Sequence, residues 1–397
     1  MNNPFSFQED AICQINTLEN PFKSFWMAGF ECTDKLNVFG KRVDFLNTTG
    51  HLQMLAEDYD NLKVFKIKTI REGIRWSQVE KKPYEYDWST VAFMMQCASQ
   101  NQIQQVWDIC HFGFPDDLTP LHPLFSKRFS ALCRAFIRFY RSIDTKSTIV
   151  ITPINEVSFL SWLGGDVGAT VPYCRGYGWE VKYALMKAYI SGIQAIKEED
   201  DNTRILTTEP LVNMVPPFNA TEEQQARARV MHEHQFQVLE ILSGRMCPEL
   251  NGKPEYLDIL GLNYYHNNQW ITGTFEFLPW KNDNNDPRWQ SLSQLLMNVY
   301  KRYQKPLVLS ETSHPQEHRP YWLDFVANEC ALVVAEDIPL WGICWYPIID
   351  RPDWDHFTPW HKAGIWDIEI SNDNIPVRQL HLPTAEALIR AQKLINI

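Results

Sequence analysis

The chain has 397 residues, a formal net charge of −11 at pH 7 and a hydrophobic fraction of 45%. This length permits a large single core, and the composition is ordinary for a soluble globular protein. The acidic balance argues against a nucleic-acid partner, because phosphate binding needs a surplus of Lys and Arg.

The sequence predicts neither a secretory signal nor a membrane partner. Its N-terminus lacks a basic patch followed by an apolar run, and no apolar stretch approaches the ~20 residues that a membrane helix needs. The nine cysteines are scattered and form no Cys-x-x-Cys pair. This pattern disfavours a zinc site and is typical of buried thiols in a reducing compartment. We therefore expect a cytoplasmic protein.

Short apolar runs recur along the chain and predict eight strands. They cover 24–30, 64–74, 103–110, 148–154, 204–208, 257–262, 306–309 and 340–345. Segments with the 3.6-residue apolar spacing of amphipathic helices follow the third and later runs. The first of these segments lies around 132–140, and the others cover 183–196, 226–242, 289–303, 321–334 and 384–394.

Strands that alternate with helices imply parallel pairing and right-handed crossovers. Eight such units favour an α/β fold of the (β/α)₈ TIM-barrel type. We expect one catalytic barrel over residues 1–397, with 1–20 as an N-terminal extension. An open parallel sheet is the alternative architecture.

A side chain that can act in catalysis or bind a ligand stands at the end of each predicted strand from the second to the eighth. These residues are Arg71, His111, Asn155 with Glu156, Glu209, Asn263, Glu311 and Trp345. In a barrel the carboxyl ends of all strands converge on one face, where active sites are built. We therefore expect a shared site at this face.

Glu156 and Glu311 are the most informative of these residues, because each ends a strongly apolar run. An ionisable side chain in such a place is costly unless it belongs to a site or a salt bridge. Two opposed carboxyl groups are what glycoside cleavage needs: one protonates the leaving oxygen, and the other acts from the far side of the sugar ring. The alternative for each glutamate is an ion pair with Lys or Arg at the barrel rim.

Six stretches, in the correct order, resemble glycoside hydrolase family 1, which lies within the 4/7 superfamily of retaining barrel glycosidases. They are Arg71-Glu-Gly-Ile-Arg-Trp-Ser77, His111-Phe-Gly-Phe-Pro115, Thr152-Pro-Ile-Asn-Glu156, Leu260-Gly-Leu-Asn-Tyr-Tyr265, Leu309-Ser-Glu-Thr312 and the segment 345–354. The resemblance covers about 25–366. It implies a barrel whose acid/base ends strand four and whose nucleophile ends strand seven.

The resemblance implies that Glu156 is the acid/base and Glu311 the nucleophile, with Arg71 and Tyr265 supporting the nucleophile by hydrogen bonds. The residues to which it assigns sugar binding are His111, Asn155, Trp345, Asp353 and Trp354. Asn263 and Glu209, which also end strands, are added as predicted substrate-binding residues. No cofactor or metal is expected, because two carboxyl groups supply both the proton transfers and the covalent intermediate.

Several positions depart from the family pattern. Val157 replaces a Pro, Thr312 replaces an Asn, and Asp353 replaces a Glu that reads sugar hydroxyls. Glu31 either replaces the sugar-binding Gln of the first strand or forms an interior ion pair, and His314 is a candidate for entering the site. We predict a retaining β-glycosidase of the β-glucosidase or β-galactosidase type, acting on a small carbohydrate, with altered sugar preference.

Three alternatives stay open. A transglycosidase would use the same residues, and a non-catalytic carbohydrate-binding barrel would explain the altered hydroxyl-reading positions. A metal-dependent hydrolase would use His111, His232, His234 and His266. It is disfavoured because residues two apart on a helix point about 200° apart.

Overall fold

The computed structural model describes residues 19–274, 276–370 and 376–395. Eight parallel strands form a closed barrel, in which β1 pairs with both β2 and β8. The strands are β1 Trp26–Gly29, β2 Thr69–Gly73, β3 Gln104–Cys110, β4 Val150–Ile154, β5 Arg204–Pro210, β6 Ile259–Asn263, β7 Leu307–Thr312 and β8 Leu340–Trp345. The predicted TIM barrel is thus confirmed, and the open-sheet alternative is wrong.

In the part of the chain that the structure describes, eight long helices surround the barrel. They are α1 His51–Asn61, α2 Ser89–Gln100, α3 Phe125–Ile143, α4 Gly178–Glu199, α5 Glu222–Glu233, α6 Leu292–Tyr303, α7 Arg319–Ala335 and α8 Leu382–Leu394. In α3 the buried Phe125, Phe129, Leu132 and Phe136 recur at three- and four-residue spacing. This spacing gives the helix one apolar stripe that packs on the barrel.

Shorter elements connect the main ones. The short helices are Phe45–Thr48, Trp76–Val79, Val157–Ser161 and Gln237–Leu242, with a π-helical segment at Trp162–Val167. The 3₁₀ turns are Leu62–Phe65, His234–Phe236, Pro248–Leu250, Pro254–Tyr256 and Gln316–His318. Three two-stranded sheets pair Glu80–Lys82 with Glu85–Tyr86, Asn213–Val215 with Gln269–Ile271, and Trp366–Ile370 with Pro376–Leu380.

Two predicted elements differ from the structure. The second strand begins at Thr69, and Val64 and Phe65 of the predicted run belong to the 3₁₀ turn Leu62–Phe65. The helix predicted over 226–242 is interrupted by the 3₁₀ turn His234–Phe236. Apolar runs alone do not separate a strand from the turn that leads into it. The predicted extension 1–20 lies outside the described residues except for its last two positions.

The barrel interior has an apolar floor below a polar layer. The floor consists of Met27, Val106, Val150, Leu206, Ile259, Val308 and Cys344, one from each of seven strands. Residues two positions further along a strand face the same side. The next inward layer is therefore formed by Asp108, Thr152, Thr208, Ser310 and Tyr346, which are all buried. The floor closes one end of the barrel and leaves polar side chains at the carboxyl end.

A larger apolar cluster lies between the barrel and its helices. It includes Trp76, Trp107 and Trp322, all of which are fully buried. The high aromatic content thus serves packing between the barrel and its helices. Among residues 19–274, 276–370 and 376–395, no helix has the length and apolar character that crossing a membrane requires.

Candidate active site

Glu311 lies near the end of β7 and accepts a hydrogen bond on each carboxylate oxygen. Arg71 Nη1 donates to Oε1 at 2.9 Å, and the Tyr265 hydroxyl donates to Oε2 at 2.8 Å. Burial, together with the negative charges of Glu311 and Glu156, raises the pKa of Tyr265. The phenol therefore keeps its proton and remains a donor.

An irregularity in β7 helps to aim this carboxylate. The pairing register with β6 shifts between Leu309 and Glu311, so Ser310 is an extra residue in the ladder. Such bulges redirect side chains next to active sites. The Ser310 hydroxyl donates to Asn263 Oδ1 at 2.6 Å, and its carbonyl accepts from Arg71 Nη1 at 2.9 Å.

Arg71 connects Glu311 to two further strands. Its Nη2 donates to Asp108 Oδ2 at 2.7 Å on β3 and to Asn155 Oδ1 at 3.2 Å just after β4. The Thr208 hydroxyl also donates to Asn155 Oδ1, at 2.7 Å. The amide oxygen of Asn155 is thus occupied, which leaves its NH₂ group as the donor available to a ligand.

His111 is oriented by Asp108. Its Nδ1 lies 2.8 Å from Asp108 Oδ2, whereas its Nε2 lies 3.4 Å from the Tyr346 hydroxyl and 3.5 Å from Glu31 Oε1. Burial alone would lower the pKa of His111, but the hydrogen bond to Asp108 and the charges of Glu31 and Asp108 raise it. Among the described residues, the contacts of His111 Nε2 are all 3.4 Å or longer, including one of 3.4 Å to Asn155 Nδ2.

Glu156 follows β4 and has a different environment. Asn263 Nδ2 donates to its Oε1 at 2.9 Å. Burial and then the negative charge of Glu311 raise its pKa well above the usual range; the Asn263 hydrogen bond lowers it, the charge of Glu209 raises it further, and Arg71 lowers it. Two buried glutamates at one barrel end thus differ in their partners. Glu311 has a cation and a phenol, and Glu156 has one neutral amide.

The predicted Trp345, Asp353 and Trp354 lie at the end of β8 and in the segment that follows it. Trp345 is buried and donates its indole N–H to the Ala363 carbonyl at 3.0 Å. Trp354 is partly buried, and its ring centroid lies 5.7 Å from that of Phe112, next to His111. Asp353 Oδ1 accepts the backbone N–H groups of residues 355 and 356 at 2.9 Å. This carboxylate therefore shapes its own loop.

Glu209 lies behind Glu156. Its two oxygens accept the backbone N–H of Ser158 at 3.3 and 3.2 Å. Burial raises the pKa of Glu209 to about 7, although the Ser158 hydrogen bond and the charge of Lys182 lower it. Glu209 contacts the polypeptide segment that carries Glu156.

Glu31 and His314, to which sequence reasoning assigned no single role, have different surroundings in the structure. Glu31 Oε2 lies 3.3 Å from Arg351 Nε, and its Oε1 accepts the Thr33 hydroxyl at 2.6 Å, so the interior ion pair is present. His314 Nδ1 lies 2.9 Å from the Pro315 carbonyl, and its ring packs 4.2 Å from that of His266.

Sequence reasoning missed two residues of this network. Asp108 joins Arg71 to His111, and Tyr346 places its ring 5.1 Å from the Arg71 guanidinium. Asp108 carried a signal, because it is a lone acid inside the apolar run 106–110. Tyr346 directly follows Trp345 and carried none. Gly29 provides its space, since a Cβ there would lie 1.9 Å from the Tyr346 ring.

Among the described residues, one group has potential metal ligands close together: Cys32, Asp108 and His111. Arg71 Nη2 already donates to Asp108 Oδ2, which is also the oxygen nearest to His111 Nδ1. A guanidinium at this oxygen disfavours a cation there. His232, His234 and His266, the other residues of the metal alternative, do not belong to this group.

Comparisons with known proteins identify the fold. Neither a protein-family profile nor a curated protein sequence matches this chain. A family 1 β-glucosidase from Thermotoga maritima is similar at 15% sequence identity, with a TM-score of 0.70 and coverage of 87% of each chain. The chain has the fold of this β-glucosidase.

Other solved structures give the same result. The Thermotoga maritima β-glucosidase in complex with deoxynojirimycin has 14% identity and a TM-score of 0.70, covering 95% of this chain and 99% of that chain. The AHE enzyme from Alicyclobacillus herbarius has 16% identity and a TM-score of 0.69, covering 86% of this chain and 87% of that chain. The resemblance to glycoside hydrolase family 1 in the sequence is thus matched by a resemblance in fold.

Proposed function

We propose that this protein is a retaining β-glycosidase in which Glu311 is the nucleophile and Glu156 the acid/base. The observation that carries the proposal is the contrast between two buried carboxyl groups at the carboxyl end of one barrel. Glu311 accepts hydrogen bonds from Arg71 and Tyr265, and burial raises the pKa of Glu156. An ionised nucleophile and a protonated acid are what the first step requires.

In the first step, Glu311 attacks the anomeric carbon as the bond to the leaving oxygen breaks. Glu156 gives its proton to that oxygen, so the aglycone departs as a neutral alcohol. Glu311 becomes covalently bound to the sugar, and Glu156 becomes ionised. As Glu311 loses its charge, the repulsion that favoured the protonated form of Glu156 weakens, which suits the change of role.

In the second step, the Glu156 carboxylate removes a proton from water while the water oxygen attacks the anomeric carbon. The bond to Glu311 breaks, and both glutamates return to their starting states. Two inversions give net retention. A sugar hydroxyl in place of water would give transglycosylation with the same residues.

Three donors or surfaces would bind the sugar in this proposal. The Asn155 NH₂ group, whose amide oxygen is already engaged, would donate to the 2-hydroxyl. His111 Nε2, whose contacts in the described part of the chain are all 3.4 Å or longer, would bind a neighbouring hydroxyl. Tyr346, whose ring lies 5.8 Å from that of His111, would lie under the sugar ring. Trp345 stands between the inward-facing Cys344 and Tyr346 and therefore faces the helices. Similar solved structures are those of β-glucosidases, which makes β-glucosides the first substrates to test.

The test is hydrolysis of a panel of 4-nitrophenyl β-glycosides by wild type, Glu311→Ala and Glu156→Ala. We expect Glu311→Ala to lose turnover by about 10⁴-fold or more, with azide restoring it as the inverted glycosyl azide. Glu156→Ala should lose about 10²- to 10⁴-fold with poor leaving groups, with azide giving the retained product. The exposed Glu336→Ala variant serves as the matched control and should keep full activity.

Absence of turnover with every α- and β-glycoside would contradict the proposal and favour the carbohydrate-binding alternative. If azide gave the retained product with Glu311→Ala and the inverted product with Glu156→Ala, the roles of the two glutamates would be exchanged.

A further inference from the structure

Glu209 is a buried carboxylate next to the proposed acid/base that the mechanism above does not use. The Glu156 backbone N–H donates to the carbonyl of Thr208, the residue before Glu209, at 3.0 Å. The Thr208 side chain faces Asn155 inside the barrel. Neighbouring residues of a strand face opposite sides, so Glu209 faces away from the barrel axis, toward the segment that follows Glu156.

That segment has a constrained backbone. Glu156 has a φ of 46°, in the left-handed region that residues other than glycine rarely adopt. The short helix Val157–Ser161 begins immediately afterwards. The first N–H groups of a helix have no partner within it. Both oxygens of Glu209 lie within 3.3 Å of the Ser158 nitrogen, so Glu209 supplies the acceptor two residues after Glu156.

The charge of Glu209 has Lys182 as a cationic neighbour. Lys182 on α4 lies close enough to stabilise the carboxylate, and its own Nζ donates to Gln237 Oε1 at 2.8 Å. The other groups around this pair are the N–H groups of Val157 and Ser158, the Tyr189 phenol, Asp166 and His234. Around Glu156 the charged or titratable groups are Glu311, Glu209, Arg71 and Tyr265.

We propose that Glu209 is a positioning residue for the acid/base: it holds the backbone after Glu156 through Ser158, and it places a buried carboxylate beside the segment that carries Glu156. The consequence of this inference for catalysis rests on the proposed function. The charge coupling between the two buried carboxyl groups does not depend on that function.

The coupling would extend the working range of the acid. The pKa of Glu209 lies at about 7, so this residue becomes ionised near neutral pH. Each added negative charge near Glu156 makes loss of the Glu156 proton less favourable. Glu156 would therefore stay protonated to a higher pH than it would beside a neutral residue.

Two substitutions separate position from charge. Glu209→Gln keeps an oxygen that accepts the Ser158 N–H but removes the charge, whereas Glu209→Asp keeps the charge. We expect the alkaline limb of the kcat/KM profile to move down by about one pH unit in Glu209→Gln and to move much less in Glu209→Asp. A purely structural role would lower kcat in both variants and leave the limb in place. Glu336→Gln is the surface control.

A second measurement needs no substrate. Carbon-13 NMR of protein labelled at the glutamate δ-carbons, with the Glu156 signal assigned by its loss in Glu156→Gln, reports the titration of Glu156 directly. We expect its midpoint to fall in Glu209→Gln. In the wild type alone, the Glu156 signal should show a second, smaller step near pH 7.

Identical Glu156 titrations in wild type and Glu209→Gln, or a wild-type signal with no step near pH 7, would overturn the inference. A shifted titration in a protein that cleaves no glycoside would keep the inference and contradict the proposed function.

Discussion

His51 and His111 are both buried and each lies between two carboxylates, but their contacts differ. His51 on α1 lies 2.7 Å from Asp58 Oδ2 through Nδ1 and 2.9 Å from Glu72 Oε1 through Nε2. His111 has one short contact, to Asp108, and the contacts of its Nε2 with described residues are 3.4–3.5 Å long. One histidine is enclosed by its partners, and the other has a nitrogen left for a ligand.

The difference follows from where the two networks lie. Arg71 and Glu72 are neighbours on β2, so their side chains face opposite sides of the barrel wall. Arg71 faces the interior and joins Asp108 and His111, while Glu72 faces α1 and joins His51. Further protein groups join the network between strand and helix, as where Arg378 donates twice to Asp58 at 2.7 Å. The network of His111 lies at the carboxyl end of the barrel, where barrel active sites are built.

The largest expected effect distinguishes the two histidines by stability. His51→Ala should lower the free energy of unfolding by about 3–5 kcal/mol, because it leaves buried charges without their partner. Urea denaturation measures this loss, with the exposed His122→Ala variant as control. A loss below about 1 kcal/mol would contradict the view that His51 is a structural residue.

The next effect is the pH dependence of stability. Burial alone would lower the pKa of His51, but the charge of Glu72 and the hydrogen bonds to Asp58 and Glu72 raise it to about 9. A pKa raised above the unfolded value of about 6.5 stabilises the folded state fully below that value. This contribution, about 3 kcal/mol, should disappear as the pH rises toward 9.

Urea denaturation between pH 6 and pH 10 tests the sign of this effect. The wild type should lose stability with rising pH, and His51→Gln should lose clearly less. Parallel curves for the two proteins would show that His51 is not charged in the folded state.

The smallest effect concerns His111, where activity should change more than stability. His111→Ala should lower kcat/KM by roughly 30- to 100-fold, the loss of one strong hydrogen bond to substrate, while unfolding changes less than in His51→Ala. Assays on the best 4-nitrophenyl glycoside and urea denaturation of the same samples measure both. A large loss of stability with unchanged kcat/KM would make His111 a second structural histidine.

The sequence was sufficient for the order of elements, because apolar runs and helical spacing depend on short-range pattern. All eight predicted strands are present, and the glutamates that end two of them reach one barrel end. Local pattern was insufficient where an apolar run continued through the turn Leu62–Phe65. The local pattern also did not predict the interruption at His234–Phe236. Both 3₁₀ turns depend on tertiary packing, which the local pattern does not contain.

The partners of each site residue depended on closure of the barrel. Arg71 on β2 and Tyr265, which follows β6, both donate hydrogen bonds to Glu311 on β7. The resemblance to family 1 leads us to expect both contacts. Asp108 and Tyr346 were not anticipated, because the roles of a single acid or tyrosine are set by what faces them across the barrel. The direction of Glu209 likewise depends on which side of β5 meets Ser158. The ends of strands can be predicted from the local sequence pattern. Contacts between side chains of different strands form only when the parallel register and the closed sheet bring those strands together.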